Sequence, residues 1–199
     1  MLQLAILLAC AAPQIPSEPL TDTLWADINA ETWGVGSEAR VLLELGDSLL
    51  ISAAADGPGN DLYVSDGTTA GLAPVANLTP GLYVTEFADA LQLPNGRVLF
   101  SASDHTIGRE LFVFDPQAMT WGLVVDSAVG PLSSMTSPGE GSIARLGSHA
   151  YYVARDSSES YRMWRSDGSL SGTEIVLPGY EFNSQDSVYN LLGSLFVTH

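Results

Sequence analysis

The chain reads as all-β: a propeller-like array of about three four-stranded antiparallel blades, with partial blades at both ends. Three observations predict this. Residues 62–71 (Leu-Tyr-Val-Ser-Asp-Gly-Thr-Thr-Ala-Gly) recur at 163–172 (Met-Trp-Arg-Ser-Asp-Gly-Ser-Leu-Ser-Gly), with a degraded copy at 111–116. The aspartates Asp66, Asp115 and Asp167 lie 49 and 52 residues apart, and a period of about 50 residues marks propellers and solenoids. Glycine turns recur at matching places: Leu45-Gly46-Asp47, Leu93-Pro94-Asn95-Gly96, Leu146-Gly147-Ser148 and Leu192-Gly193-Ser194. Residues 48–55 and 150–154 are almost continuously apolar, the pattern of strands buried on both faces, which stacked blades provide. A sandwich would alternate more cleanly.

In chain order, residues 1–11 form an export or lipoprotein signal. Residues 2–12 are apolar and end in small residues, as in a secretory signal. The run is too short for a bilayer span of roughly 20 residues. Leu7-Leu8-Ala9-Cys10 resembles a bacterial lipobox, which makes Cys10 the lipidation candidate. Residues 12–23 carry three prolines within 13–19 and form an extended linker. Residues 24–199 form the repeat domain.

The second repeat defines the unit. Its strands are expected at 86–93, 97–103, 109–114 and 121–126, with Pro94-Asn95-Gly96 as the first turn. Asn-Gly suits the positive φ of a tight hairpin. Asp66-Gly67 and Asp167-Gly168 are read as two-residue hairpin turns between third and fourth strands, each aspartate accepting backbone N–H groups one or two residues on. Around Asp115-Pro116-Gln117 a longer loop is expected. Repetition marks these aspartates as structural, because a catalyst is needed once. Residues 24–28 read as a lone fourth strand, and 186–192 with 195–199 as the first two strands of a further unit. An incomplete repeat domain is therefore expected.

The net charge is −16, and all seven basic residues are arginine. Such a surface repels nucleic acid and anionic membranes. Membrane contact is expected only through a lipid on Cys10. With one cysteine, no disulfide forms within the chain. His105, His149 and His199 are too far apart for a zinc-like pair.

The motifs together resemble the ELWxxDGT repeat, a hyalin-like repeat of exported bacterial proteins. Leu99-Phe100-Ser101-Ala102-Ser103-Asp104 and Gly108-Arg109-Glu110-Leu111-Phe112 match its first blocks. Ser65-Asp66-Gly67-Thr68 and Ser166-Asp167-Gly168-Ser169 match the Asp-Gly-Thr core. Leu24-Trp25-Ala26-Asp27-Ile28-Asn29 and Val75-Ala76-Asn77-Leu78-Thr79-Pro80-Gly81 match the block that follows. Tyr63 and Phe112 replace the family tryptophan, kept at Trp164, and Leu177-Pro178-Gly179 breaks the last block. The resemblance implies a propeller-like β fold and an exported location. It implies no activity and no catalytic residues.

Serines without His/Asp context give no catalytic triad, and no catalytic residue is assigned. Arg40, Glu44, Glu86, Asp89 and Arg145 fall on expected innermost strands and are the channel-facing ligand candidates. Residues 56–61 are oxygen-rich, and Asp56, Asn60 and Asp61 are the candidate metal ligands. Calcium, which takes six to eight oxygens, is the ion such a loop would hold; turn chemistry explains the same residues, and no cofactor is required. The expected function is a non-enzymatic, exported binding or scaffold module at the cell surface, with a protein or glycan partner. The alternative is part of a propeller-type glycan hydrolase or lyase working in the central channel.

Overall fold

The computed structural model describes residues 38–54, 59–78, 84–135 and 142–198. The expected signal and linker, Cys10, residues 24–28 and Asp56 lie outside the described residues.

Near-continuous apolar strands must bury both faces, and the chain does this by stacking sheets in sequence order. The first sheet runs β1 (Arg40–Leu45), β2 (Ser48–Ala54), β3 (Asn60–Ser65), β4 (Leu72–Pro74), each antiparallel to the next. A short β5 (Ala76–Asn77) follows. The second sheet holds β6 (Val84–Gln92), β7 (Val98–Asp104), β8 (Gly108–Asp115) and β9 (Thr120–Val125). The third sheet runs β10 (Ile143–Leu146), β11 (His149–Arg155), β12 (Tyr161–Ser166), β13 (Glu174–Val176). A two-stranded hairpin, β14 (Ser187–Leu191) with β15 (Ser194–Thr198), ends the described chain. Among the described residues there is no α-helix, only a 3-10 turn at Thr69–Gly71. The expected strands of the second repeat thus form within a residue or two of their forecast ends.

Three apolar clusters occupy the three seams. Leu50 and Leu62 of the first sheet pack with Phe87, Phe100, Phe112, Phe114 and Trp121 of the second. Leu99, Leu111 and Val124 of the second pack with Tyr152 and Ala154 of the third. Val153 and Met163 of the third pack with Phe182 and Val188. At the first seam four rings meet, with Phe87 edge-on to Trp121 at 5.3 Å and Phe100 stacked on Phe112 at 5.9 Å. Such pairs add about 0.5–1.5 kcal/mol each beyond burial. The third-strand aromatic faces the same second-strand position in all three sheets: Tyr63 opposite Ile51, Phe112 opposite Phe100, Trp164 opposite Tyr152. Cross-strand pairing on one face explains why an aromatic is kept there while its identity varies.

Two expectations need correction. The second sheet has five strands, because β5 leaves the first sheet and runs parallel to β9 at its outer edge. The chain changes partner at one step: Val75 N donates to Leu62 O at 2.9 Å, and Ala76 N to Met119 O at 2.9 Å. Second, the Asp-Gly blocks are not two-residue hairpins. The connection runs from Asp66 to Gly71 in the first sheet and from Asp167 to Thr173 in the third. The Asp115 connection, residues 116–119, is the shortest of the three rather than the longest.

The physical reason is a side-chain scaffold inside the loop. Asp66 Oδ1 accepts from Thr68 N at 2.9 Å and Thr68 Oγ1 at 2.7 Å, and Thr68 Oγ1 accepts from Gly71 N at 3.0 Å. Asp167, Ser169 and Gly172 repeat this at 2.9, 2.7 and 3.0 Å. Each aspartate folds over the closing glycine. A Cβ on Gly71 would stand 1.7 Å from Asp66 Oδ1, and one on Gly172 2.1 Å from Asp167 Oδ1. The second glycine of the motif is therefore fixed by a carboxylate occupying its side-chain position, not by φ. Asp156 and Ser158 build a related turn between β11 and β12, with bonds of 2.8 and 2.6 Å. The hydroxyl bonds, Thr68 to Asp66, Ser158 to Asp156 and Ser169 to Asp167, hold these carboxyls below the usual aspartate value.

Glu110 ties the second sheet to the connection leading into the third. It is fully buried on β8. It accepts from Ser127 N and Oγ, both at 3.1 Å, from Ser134 N at 3.2 Å and from Ser134 Oγ at 2.6 Å. No arginine among the described residues pairs with it. Desolvation outweighs the four donated bonds and pushes its pKa up to about 7, with Asp126 acting in the same direction. At the equivalent register position the third sheet has Arg162, opposite Ala154 as Glu110 is opposite Ala102. Arg162 reaches Asp156 Oδ2 at 3.3 Å, Glu181 Oε1 at 3.2 Å and Tyr180 O at 3.0 Å. The same position anchors the outgoing connection in both sheets, with the polarity reversed.

Gly71→Ala should destabilise by about 1–3 kcal/mol through overpacking. Asp66→Ala should cost less, and the double variant should cost clearly less than the sum, because the clash disappears with the carboxylate. Urea denaturation of the four proteins checks this; strict additivity would mean that Asp66 does not fill that space.

The acidic groups also set a pH profile. Glu110 has a native pKa raised from 4.5 to about 7, so its contribution is whole below 4.5 and is lost as pH rises through 7. The three turn aspartates are lowered from 3.8, so their contribution is present above 3.8 and is lost as pH falls through the native values. Stability should peak near pH 4–5 and fall on the order of 2–3 kcal/mol by neutrality. Glu110→Gln should abolish the neutral-side fall and leave the acid-side fall in place. Denaturation midpoints measured from pH 3 to 8 for both proteins decide.

Candidate functional site

A cavity of about 260 Å³ opens between the first and second sheets, lined by Glu38, Arg40, Ser52, Asn60, Thr85, Glu86 and Phe87. Pairing builds one wall. Arg40 at the start of β1 lies opposite Ser52 of β2, and Asn60 at the start of β3 lies opposite Ala54. The other wall is the beginning of β6. There a register shift between Val84 and Glu86 re-aims the strand, as bulges do beside sites. Asn60 Nδ2 donates to Thr85 O at 3.2 Å and stitches the two walls together. Thr85 Oγ1 donates to Ser103 O at 3.2 Å.

Glu86 is held from behind. Its Oε2 pairs with the Arg109 guanidinium, whose side chain is 7% exposed against 43% for Glu86. Arg109 NH1 also donates to Ser101 Oγ at 3.1 Å, and Ser101 Oγ donates to Asp89 Oδ2 at 2.9 Å. Asp89 sits at φ +55° within a second register shift of β6. The row Glu86–Arg109–Ser101–Asp89 thus spans three strands of one sheet and fixes the strand that forms this wall. The Ser52 hydroxyl lines the cavity from a residue only 3% exposed and has no partner among the described residues.

Of the residues singled out in the sequence, Arg40, Asn60 and Glu86 converge on this cavity. Asp89 supports Glu86 at second hand. Glu44 is exposed on β1 opposite Leu49, away from the cavity. Arg145 is a staple: its NH1 donates to Gln92 O at 3.1 Å, and its carbonyl accepts from Asn190 Nδ2. It joins β10 to β6 and to β14. Asp61 is exposed beside the cavity, its carboxyl held above the usual range by partial desolvation. Among the described residues no three His, Cys, Asp or Glu side chains group to hold a metal, and Asp56 lies outside them. Ser52, Thr85, Phe87 and Glu38 carried no signal in the sequence; Arg109 was visible only as part of a repeat block.

A second cavity, about 240 Å³, lies between the second and third sheets, where Arg97, Asp115 and Gly168 meet. Arg97 Nε is 3.4 Å from Asp115 Oδ2, and its NH1 is 3.4 Å from Gly168 O.

No family model and no curated protein matches this chain. Among solved structures it is similar to an α-L-arabinofuranosidase (CtGH43) from Clostridium thermocellum ATCC 27405, at 11% identity with a TM-score of 0.37. The likeness covers 78% of this chain, which spans 58% of the length of that one.

Arg109→Ala should cost about 2 kcal/mol in chemical denaturation. That is less than the 3–5 kcal/mol of a fully buried broken pair, because Glu86 is half-exposed. Arg109→Lys should not restore the loss, since an ammonium cannot fork between Glu86 and Ser101 as a guanidinium does.

Proposed function

We propose that the chain is an exported, non-enzymatic binding module built on a propeller-like array, tethered through a lipid on Cys10, with its ligand site at the seam of the first two sheets. One observation carries the reading: the polar lining of that cavity recurs only in part. Where the first sheet has Ser52, the second has Ser101 and the third Val153; where it has Asn60, they have Arg109 and Tyr161. Structural devices in this chain recur from sheet to sheet, as the aspartate turns do. A polar constellation formed at one seam, with a buried hydroxyl facing space, is what a binding site requires. The repeats, the acidic surface and the lipobox-like start support an exported protein.

The tie from Glu86 to Arg109, and from there to Ser101 and Asp89, makes Glu86 a fixed acceptor. A second reading rests on Glu38 and Glu86 lining one cleft, since glycoside hydrolysis uses two facing carboxylates. A glycan array probed with the full-length protein, followed by a product assay on every hit, separates the two. Binding without turnover, lost in Arg40→Ala, is the expected result. Sugar release abolished by Glu38→Gln or Glu86→Gln would establish the enzyme instead. Binding that survives every cavity substitution would move the site elsewhere.

A further inference from the structure

We propose that residues 127–135 form a strap whose closure depends on the charge state of Glu110: it lies closed over β8 while that carboxyl is protonated, and it lifts locally, ahead of global unfolding, once the carboxyl is ionised. Glu110 is a single pin for both feet of this segment. Its Oε2 accepts from Ser127 N, Ser127 Oγ and Ser134 Oγ, and its Oε1 accepts from Ser134 N. Ser127, Ala128, Ser134 and Met135 are buried, whereas Val129 and Leu132 between them are 80% and 49% exposed. A loop with close feet and an exposed middle is a unit that opens by itself.

The seat is shaped to the strap. Gly108 lies beneath it: a Cβ there would stand 2.5 Å from Ser133 N. Arg109 N donates to Ser133 Oγ at 3.0 Å, and Arg109 O accepts from Ser134 N and Met135 N, both at 3.1 Å. On the other side Arg155 N donates to Ser134 O at 2.8 Å, and Met135 bridges to Ala154. The strap therefore joins β8 of the second sheet to β11 of the third, and it brackets the residue that pairs with Glu86. Backbone groups and hydroxyls make all of these bonds, and none of them titrates. Only the bonds at Glu110 involve a group whose charge changes.

Ionised, Glu110 accepts from all four donors but carries a charge out of water. Protonated, it keeps the two backbone donors, and one serine hydroxyl turns to accept its proton. The strap stays bonded in both states, and the charged state alone bears the cost of burial. The surrounding groups do not relieve that cost. Asp126, at the end of β9, adds a like charge. From β7 the buried Asp104, two residues beyond the facing Ala102, is a further carboxylate; it accepts from Thr106 N at 2.7 Å, and His105 Nδ1 lies 3.7 Å from it. From β6 the residue opposite Ala102 is Phe87, which is uncharged. From β11, Tyr152 is held protonated by its own burial and by Glu110. The two nearest guanidiniums are engaged elsewhere: Arg109 with Glu86, and Arg155 over the Tyr161 ring at 5.2 Å.

The direction follows from linkage. Closed, Glu110 titrates at about 7; open, its carboxyl meets water and returns to its ordinary 4.5. The closed strap binds more protons between those values, so rising pH favours opening. The opening constant should rise about tenfold per pH unit from pH 5 to 7, on the order of 300-fold in all, and then level off.

Amide hydrogen exchange of the full chain from pH 5 to 8 tests this. Protection of the Ser127, Ser134 and Met135 amides, corrected for intrinsic exchange, should fall about tenfold per pH unit up to pH 7 and then level. At every pH it should stay below that of Phe112, which β7 and β9 flank within the second sheet. The carbon-13 shift of the Glu110 carboxyl should titrate where the protection curve bends, and Glu110→Gln should leave strap protection nearly independent of pH. Strap amides as well protected as Phe112 throughout would mean that the segment opens only with the whole fold, which overturns the proposal. So would strap protection that ignores pH, or that follows pH equally in Glu110→Gln. A Glu110 carboxyl that titrates near 4.5 in the native protein would overturn it whether or not the variant folds.

Discussion

Among the described residues no α-helix covers a sheet face, so water is excluded where another sheet lies alongside. That constraint orders the described chain. The second sheet shows it most clearly: β7 and β8 are buried along nearly their whole length, with the ring cluster around Phe100 on one side and the Tyr152 cluster on the other. Removing either neighbour would expose large side chains worth about 1.5–3 kcal/mol apiece when buried. The short links between sheets, Gln92 O to Arg145 and Arg145 O to Asn190, set the stagger of units that the apolar clusters already hold together.

Between the sheets the chain must cross over without leaving polar backbone stranded, and it solves this with the same register position in different chemistry. Glu110 collects two serine N–H groups and two serine hydroxyls, whereas Arg162 donates to a carbonyl and two carboxylates. Either side chain ties down an irregular connection. A buried carboxylate without a cation is the costlier solution, and its raised pKa is the direct expression of that cost. The adjacent residue, Arg109, turns to the other face of β8 and steadies Glu86, so the inter-sheet anchor and the cavity wall share one strand.

The cavity itself arises where the stacking is imperfect. At one end of the first seam Ser52, Asn60 and Arg40 line the space in place of the large rings, beside the register shift of β6. Arg40 and Glu86 were recognisable beforehand because innermost strands of a repeat face a shared space, and both were charged. Glu44 and Arg145 met the same criterion and lie elsewhere. A strand alternates its faces and ends in turns, and only the neighbouring sheet determines which positions look onto open space. Asn60 was singled out as an oxygen ligand in a loop; it is instead the first residue of β3, and its amide spans to Thr85.

The sequence by itself determined the all-β class, the order of the four antiparallel strands in each repeat and the hairpins at Gly46 and Gly147, whose φ values of +66° and +62° only glycine adopts readily. Those properties are local: a period, an alternation, a turn residue. It also marked the Asp-Gly-Thr blocks as structural, but not their geometry, because the closing glycine is required by a carboxylate folding back over it, a contact that exists only once the loop is closed. Tertiary structure alone decided that β5 would cross to the second sheet, that Glu110 would be buried without a counter-ion, and that Ser52 would face a cavity while Ser101 is engaged. Each depends on what the adjoining sheet presents, and desolvation and packing across a seam are properties of two surfaces, not of one strand.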